Sequence, residues 1–168
     1  MTTPAQTTQT DTVQVTRIEI TDPRRRLAFV PRLFATALGE SMAATFLRKH
    51  SDYDGGMWHF YEVPRGISGQ VAAWTDMATT CPTGYIAPPD GTYQMTIPGN
   101  YFDAEVSADA AGIIATLFVL NQLCWKVSEM GSQYAQTCQG LIDRQDALKD
   151  YVSIINHPES SLIFRAID

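Results

Sequence analysis

Long apolar runs are scarce in this sequence of 168 residues. The longest run, residues 108–120, is interrupted by Asp109 and Thr116, and it is shorter than the roughly 20 residues that span a bilayer. The first ten residues, MTTPAQTTQT, contain neither the basic nor the apolar part of a secretory signal. From these two absences we expect a cytoplasmic protein that does not enter a membrane.

Cysteine is scarce as well. The three cysteines, Cys81, Cys124 and Cys138, form an odd set with no close pair in sequence, and in a reducing cytoplasm we expect free thiols. No CxxC motif occurs, and the three histidines never stand at the HxxxH spacing, which argues against a structural zinc site. We therefore expect neither a metal nor a cofactor.

Basic side chains are fewer than acidic ones: the sequence has 12 basic and 18 acidic side chains, which give a formal net charge of −6. A net negative protein gains nothing from the phosphate backbone, which disfavours direct DNA binding unless a local basic patch exists. The one basic cluster is Arg24-Arg25-Arg26. Three charges at a helix start are more often a solvated face than a DNA site, so we expect no direct contact with DNA.

The remaining composition is that of a globular protein. Apolar residues make up 45% of the chain and charged residues 18%, which allows a hydrophobic core that needs no disulfide or metal. Residues 1–12 are rich in Thr and Gln and have no periodicity, so we expect a disordered arm. Residues 13–168 are expected to form a single compact domain.

Helix signals occupy the first part of the chain. Asp22 followed by Pro23 is typical of a helix start, and Pro31 predicts that this stretch divides into two short helical pieces. The second piece is predicted to carry one apolar stripe, made of Phe34, Leu38, Met42, Phe46 and Leu47.

Helix signals return in the last part of the chain. Ser107 is predicted to cap a helix that is apolar nearly all round from residue 110 to residue 125, with Gly112 permitting close packing. A long helix follows, whose apolar repeat between residues 134 and 155 favours packing within the molecule.

Strand signals lie between the helices. Residues 57–63 are dense in aromatic and β-branched side chains, which alternate between two faces. Residues 84–87, 92–97 and 101–106 are predicted to form a three-stranded meander with Pro-Asp-Gly and Pro-Gly-Asn turns. A weaker strand is predicted at 13–20, and residues 64–83 show no clear period. This grouping indicates an α+β fold, with an antiparallel sheet of about four strands packed against several helices.

No specific catalytic motif is present, since GxSxG, GxGxxG and P-loop patterns are all missing. His59 and Glu62 could suggest acid–base chemistry, but residues three apart on a strand face opposite sides. Glu105 and Asp109 flank the predicted strand-to-helix junction, where capping and the helix dipole explain them. We assign no catalytic residue.

Two segments resemble motifs of the ArdB/KlcA antirestriction family. Residues 53–62 (YDGGMWHFYE) are similar to that family's helix exit and first strand, and residues 105–117 (EVSADAAGIIATL) to its central helix. Residues 29–32, 120–123 and 166–168 also fit, so the resemblance spans about residues 20–168 in the expected order.

The resemblance implies a compact α+β protein without a cofactor, carried by plasmids and other mobile elements. It implies that such a protein protects incoming DNA from the host's type I restriction–modification enzymes. The implied partner is the host restriction complex or a factor that this complex requires. The resemblance supplies no catalytic residues, and we expect a monomer or a weak dimer.

Three mechanisms compete under this resemblance. In the first, which we favour, binding to the restriction complex or its factor blocks cleavage or translocation. In the second, the protein is an acidic DNA mimic. B-DNA carries one charge per about 1.7 Å, so a net charge of −6 would imitate only about 10 Å of it. In the third, the protein is an enzyme acting on DNA or a host factor, which requires a pocket with perturbed titratable groups.

For the contact surface, we expect a contribution from Asp54, Glu62, Glu105 and Asp109, because the two motifs meet there. The tryptophans Trp58, Trp74 and Trp125 are candidate anchors, although core tryptophans are commoner, and Trp74 is expected to be the most exposed. Trp58 and Leu117 are expected to be core residues.

Overall fold

The computed structural model describes residues 17–64 and 82–168. The arm predicted at 1–12, the first half of the strand predicted at 13–20, and Trp74 and Cys81 lie outside the described residues. The described chain runs from one short strand through two helices, four more strands and three more helices. All strand pairs among the described residues are antiparallel, so the α+β prediction is confirmed.

Two small sheets and two groups of helices make up the described part of the chain. The strands are β1 (Ile18–Glu19), β2 (His59–Val63), β3 (Thr83–Ala87), β4 (Thr92–Ile97) and β5 (Phe102–Ser107). The helices are α1 (Pro23–Phe34), α2 (Gly39–His50), α3 (Ala108–Glu129), α4 (Ala135–Ile154) and α5 (Ser160–Ile167). One sheet has the order β1-β2-β3, and the other is the hairpin β4-β5.

The prediction that residues 84–106 form a continuous meander is wrong, because β3 pairs with β2 and not with β4. The other edge of β3 faces helix α3, where the N–H of Ile86 donates a hydrogen bond to Oγ1 of Thr116 at 3.2 Å. Pro88 and Pro89 follow β3 and have no N–H to extend a ladder. The chain therefore turns away before β4 begins.

Helix α1 runs unbroken through Pro31, so the predicted division at that residue is also wrong. Pro31 lies on the exposed side, where water can bind the carbonyl group that the missing N–H leaves free. The break follows Phe34, where Ala35 has a left-handed conformation with φ of 59°. The predicted stripe is divided as a result: Phe34 is buried at the end of α1, whereas Leu38 is 63% exposed.

Helix α3 is the central helix, as the sequence predicts. The Ser107 hydroxyl caps it by accepting a hydrogen bond from the N–H of Ala110 at 3.1 Å. Length and composition would allow α3 to cross a membrane, but 61% of its most apolar window is buried inside the fold. Gly112 lies against Ile86 and Ala87 of β3, so its lack of a side chain permits the close packing.

The two described tryptophans have opposite environments. Trp58 is buried, with 4% of its surface exposed, and its Nε1–H donates to the Tyr53 hydroxyl at 2.8 Å. Trp125 lies near the end of α3, beyond the buried part of that helix, and is 68% exposed. Trp125 is therefore available to solvent, contrary to the commoner core position for tryptophan.

Helix α4 packs its apolar repeat inside the molecule, as predicted. Leu141, Leu148 and Val152 are fully buried and belong to the same core as α3. The Thr83 hydroxyl of β3 donates to the backbone carbonyl of Arg144 at 2.7 Å, which joins α4 to the sheet.

Candidate functional site

A network of polar side chains surrounds Asp109 in the first turn of α3. Its Oδ1 accepts a hydrogen bond from the Tyr85 hydroxyl at 2.7 Å and forms an ion pair with Arg17. Its Oδ2 accepts a hydrogen bond from Nε2 of His157 at 2.8 Å. Arg17 also donates to the Tyr85 hydroxyl at 2.6 Å. We call Arg17, Tyr85, Asp109 and His157 the Asp109 cluster.

His157 joins the C-terminal part of the chain to this network. Its Nδ1 accepts a hydrogen bond from the N–H of Glu159 at 3.0 Å, so the ring hydrogen is on Nε2, the atom that faces Asp109. The carboxylate of Glu159 in turn accepts a hydrogen bond from the N–H of Ser107 at 2.9 Å. The connection between α4 and α5 is thus fastened to the start of α3.

Aromatic rings surround the charged groups of the cluster. The Arg17 guanidinium lies over the Tyr61 ring, 4.1 Å from its centroid. The Tyr85 ring lies between those of Tyr61 and Tyr151, with centroid distances of 5.1 Å and 6.2 Å. These rings exclude water from one side of Asp109, which strengthens the electrostatic interactions there.

The environment favours the carboxylate form of Asp109 and the phenol form of Tyr85. Burial alone would raise the pKa of Asp109, but hydrogen bonds from His157 and Tyr85 and the charge of Arg17 outweigh it, and the pKa is lowered. Burial raises the pKa of Tyr85, and the neighbouring Asp109 carboxylate raises it further. At neutral pH the cluster therefore contains one anion, the Asp109 carboxylate, paired with one cation, the Arg17 guanidinium.

The hydrogen bonds of the cluster leave little capacity for proton transfer. Both ring nitrogens of His157 are engaged, and the Tyr85 hydroxyl both donates and accepts. Among the described residues, every buried side-chain nitrogen or oxygen has a hydrogen-bond partner. The arrangement is that of an internal brace between β3, α3 and the C-terminal segment.

Replacing Asp109 with asparagine should lower the free energy of unfolding by about 1–3 kcal/mol at neutral pH. The amide removes the charge facing Arg17, and in either orientation its NH₂ group faces a donor, the Nε2–H of His157 or the guanidinium of Arg17. The pKa of Asp109 is lowered in the folded state, so its contribution is present above the ordinary aspartate pKa and is lost as the pH falls through the folded-state value.

Urea unfolding of wild type and Asp109→Asn, from neutral pH down to about pH 3, measures this contribution. The stability difference should narrow as the pH falls. Asp143→Asn, on α4, is the control and should change stability by less than about 0.5 kcal/mol. A difference that stays constant over this range would contradict the assigned role of the Asp109 charge.

Glu62 is engaged in a separate ion-pair cluster. Its carboxylate oxygens lie 3.3 Å from Arg32 and 3.5 Å from Arg25, both on α1. The neighbouring Tyr61 points to the other face of β2, towards the Asp109 cluster, so Glu62 and Asp109 lie on opposite sides of this sheet. The structure therefore does not bring these two candidate residues together.

Glu105 lies on the exposed side of the hairpin. It is exposed and stands opposite Gln94 in the β4–β5 register. On the same side of β5, Asp103 accepts hydrogen bonds from the Gln94 amide at 2.8 Å and from the Thr96 hydroxyl at 3.2 Å.

Asp54 lies in the loop between α2 and β2, which runs beside β4. Asp52 of this loop accepts a hydrogen bond from the N–H of Gln94 at 3.1 Å, and Asp54 itself is exposed. Gly55 and Gly56 follow with φ of 125° and 113°, positive values that glycine adopts without steric cost. We call Asp52, Asp54, Asp103 and Glu105 the hairpin carboxylates. Among the described residues, none of them has an ion-pair partner.

A groove of about 580 Å³ lies between α2 and α3. The rings of Phe46 and Phe118 stack in it with centroids 4.6 Å apart, and Lys49 and Lys126 stand at its sides. We call it the α2–α3 groove. It combines exposed apolar surface with positive charge.

Arg17, Tyr85 and His157 were not predicted from the sequence as partners of Asp109. These three residues and Asp109 come from four separate parts of the chain, and no spacing relates them. The one available signal was His157 before Pro158, a polar residue at the point where two apolar helices are joined.

Comparison with known proteins gives a consistent result. A family model described as "Antirestriction protein" matches residues 51–168, which include both motifs singled out in the sequence. Antirestriction protein KlcA of Escherichia coli is 37% identical over 150 residues, covering 85% of this chain and 87% of the relative. The putative antirestriction protein YubI of Escherichia coli strain K12 is 30% identical over 146 residues, covering 85% and 89%.

A solved structure is similar across nearly the whole chain. It has a TM-score of 0.65 and 33% identity, and the match covers 91% of this chain and 94% of that one. It comes from work on the KlcA and ArdB proteins, which have a novel fold and antirestriction activity against type I DNA restriction systems in vivo but not in vitro.

Proposed function

Because this chain belongs to the antirestriction protein family, we propose that it protects incoming DNA from type I restriction–modification enzymes. The family match over residues 51–168 carries this proposal. Similarity to proteins that act against type I systems in vivo supports it. The protein acts in the bacterial cytoplasm and serves the plasmid or other mobile element that enters the cell.

The type of target follows from the behaviour of the related proteins, which are active in vivo but not in vitro. A protein that blocked a purified restriction enzyme by direct contact would do so without other cellular components. The target is therefore the restriction complex in its cellular state, or a factor that this complex requires. Binding to that target blocks cleavage or translocation.

DNA mimicry is disfavoured by the distribution of charge. The net charge of −6 corresponds to about 10 Å of B-DNA at one charge per about 1.7 Å. Two of the candidate carboxylates are also paired internally, Glu62 with Arg25 and Arg32, and Asp109 with Arg17. The number of carboxylates left to imitate phosphates is smaller still.

Binding without catalysis is the simpler account of the Asp109 cluster. Catalysis by His157 or Asp109 would require a proton-accepting atom that is free to meet a substrate. Here the carboxylate and the imidazole bind each other, and the second imidazole nitrogen is occupied by the backbone. We propose that this cluster braces the fold that presents the contact surface.

Four residues were predicted to contribute to the contact surface. Of these, Asp54 and Glu105 make the contact with the partner. Both are exposed, and neither has an ion-pair partner in the described part of the chain. A binding protein can therefore contact them without breaking an ion pair within this protein. Glu62 and Asp109 support the surface through their own ion pairs. A partner that recognises Asp54 and Glu105 would present lysine or arginine side chains.

Reversing both charges, as Asp54→Lys with Glu105→Lys, should lower antirestriction by about ten-fold or more, since each lost pairing weakens binding and places like charges together. The readout is the plating efficiency of unmodified phage on cells with a type I system. The melting temperature should stay close to that of the wild type, because both side chains are exposed.

The matched control is Glu129→Lys with Asp143→Lys, which makes the same change in net charge at the end of α3 and on α4. This control should protect as well as the wild type. Equal protection by the hairpin variant, at equal soluble expression, would remove Asp54 and Glu105 from the contact surface. Equal loss in both variants would mean that net charge, and not these positions, matters.

The α2–α3 groove is the alternative contact surface, because it offers stacked aromatic rings beside lysines. Lys49→Glu with Lys126→Glu tests it in the same plating assay. Under the hairpin proposal this variant keeps its protection. Loss of protection in the groove variant alone would mean that the α2–α3 groove, and not the hairpin, is the contact surface. The binding protein would then present acidic and apolar side chains to the groove.

A further inference from the structure

Two cysteines that are apart in sequence meet between α3 and α4. The Sγ atoms of Cys124 and Cys138 are 3.2 Å apart. Each sulfur also lies close to the backbone oxygen of the other residue, at 3.9 Å from Cys124 Sγ and 3.7 Å from Cys138 Sγ. The two helices thus approach each other closely at this point, and both cysteines are half-buried thiols.

The turn between the helices produces this approach. Helix α3 ends at Glu129, Gly131 has φ of 117°, and a short 3₁₀ turn leads into α4 at Ala135. The chain reverses over these few residues, so the last turns of α3 lie against the first turn of α4. Cys124 and Cys138 are the residues that face each other across that contact.

We propose that Cys124 and Cys138 form a site of reversible oxidation, which becomes an intramolecular disulfide on reaction with a low-molecular-weight disulfide such as oxidised glutathione. In the first step, one cysteine thiolate attacks a glutathione sulfur, which forms a mixed disulfide and releases one glutathione thiolate. In the second step, the other cysteine thiolate attacks the protein sulfur of that mixed disulfide and releases the second glutathione.

The electrons and protons of this reaction balance. Two protein thiols lose two electrons and two protons, and one glutathione disulfide becomes two molecules of reduced glutathione. Excess reduced glutathione reverses the reaction by the same two exchanges. No metal or protein cofactor is needed.

The geometry allows the bond with a small local movement. A disulfide has an S–S length of about 2.05 Å, so the sulfurs must approach by roughly 1.2 Å from their separation of 3.2 Å. Rotation of the two side chains can supply a movement of this size. Because both residues are only half-buried, a small disulfide has access to them.

The reaction should be slow at neutral pH. Burial raises the pKa of the Cys124 thiol to about 11, and its hydrogen bond with Cys138 adds to the shift. Cys124 must act as a thiolate in one of the two steps: it attacks the glutathione disulfide if it reacts first, and the mixed disulfide on Cys138 if it reacts second. The rate should therefore increase with pH, and the pair fits a slow response to a changed thiol–disulfide balance.

The test uses the full-length Cys81→Ser protein, in which Cys124 and Cys138 are the remaining thiols. The folded protein is equilibrated with glutathione buffers of increasing oxidised fraction, quenched with acid, alkylated under denaturing conditions and weighed by intact mass spectrometry. We expect a species that is lighter than the dithiol by two hydrogens and carries no alkyl group. It should revert with excess reduced glutathione.

Two comparisons make the result decisive. Cys138→Ser in the same background should give a glutathione adduct and no cross-linked species. The oxidised protein should also melt about 5–10 °C above the reduced one, because the bond closes a short loop in the unfolded chain. Glutathione adducts alone in the protein with both cysteines, or a cross-link that forms only after unfolding, would overturn the proposal.

Discussion

Replacing Gly112 with alanine should lower the free energy of unfolding by about 3 kcal/mol. A methyl group at this position would meet the carbonyl oxygen of Ile86 and lie 2.5 Å from Cα of Ala87. Both are backbone atoms of β3, so no side-chain rotation relieves the overlap. Helix α3 would have to move away from β3, which also stretches the hydrogen bond between Ile86 and Thr116.

Urea unfolding measures this effect, and Gly140→Ala is the matched control. Gly140 is also inside a helix, but the nearest atom to a methyl group there would be a side-chain nitrogen of Arg144, at 3.1 Å, and not a backbone atom. Alanine is the better helix former by about 1 kcal/mol, so the control should be neutral or more stable than the wild type. A Gly112→Ala protein of wild-type stability would contradict the close contact of α3 with β3.

Truncating Trp58 to alanine should cost about 3–5 kcal/mol, because it empties a large volume in the core and leaves the Tyr53 hydroxyl without its donor. Leu117→Ala, also in the core, should cost about 3 kcal/mol. Trp125→Ala removes the same side chain as Trp58→Ala from an exposed position, and should cost less than about 0.5 kcal/mol. Similar costs for the two tryptophans would contradict the burial pattern described for them.

Features that depend on neighbouring residues could be predicted from the sequence. The Ser107 cap, the positive φ of Gly55 and Gly56 and the alternation of β4 each follow from a few adjacent side chains. The division of the predicted meander is local only in part: Pro88 and Pro89 end β3, but the edge of β3 is covered by Thr116, which lies thirty residues away along the chain. A buried hydroxyl that binds a strand edge has no local sequence pattern.

The same limit applies to the candidate site. The charge of Glu62 and Asp109 was evident in the sequence, but their cations Arg32 and Arg17 lie far from them along the chain. The sequence also separates Cys124 from Cys138, which the turn at Gly131 brings together. Resemblance to a family indicated the function, whereas these long-range pairs required the structure.

The central claim is that this protein protects DNA from type I restriction in the cell. The most direct measurement is plaque formation by unmodified phage on cells carrying a type I system, with and without expression of the protein. We predict that expression restores plating and that methylation by the same system is unaffected, since binding blocks cleavage or translocation. Plating that stays restricted across several type I systems, in cells that contain the soluble folded protein, would contradict the account.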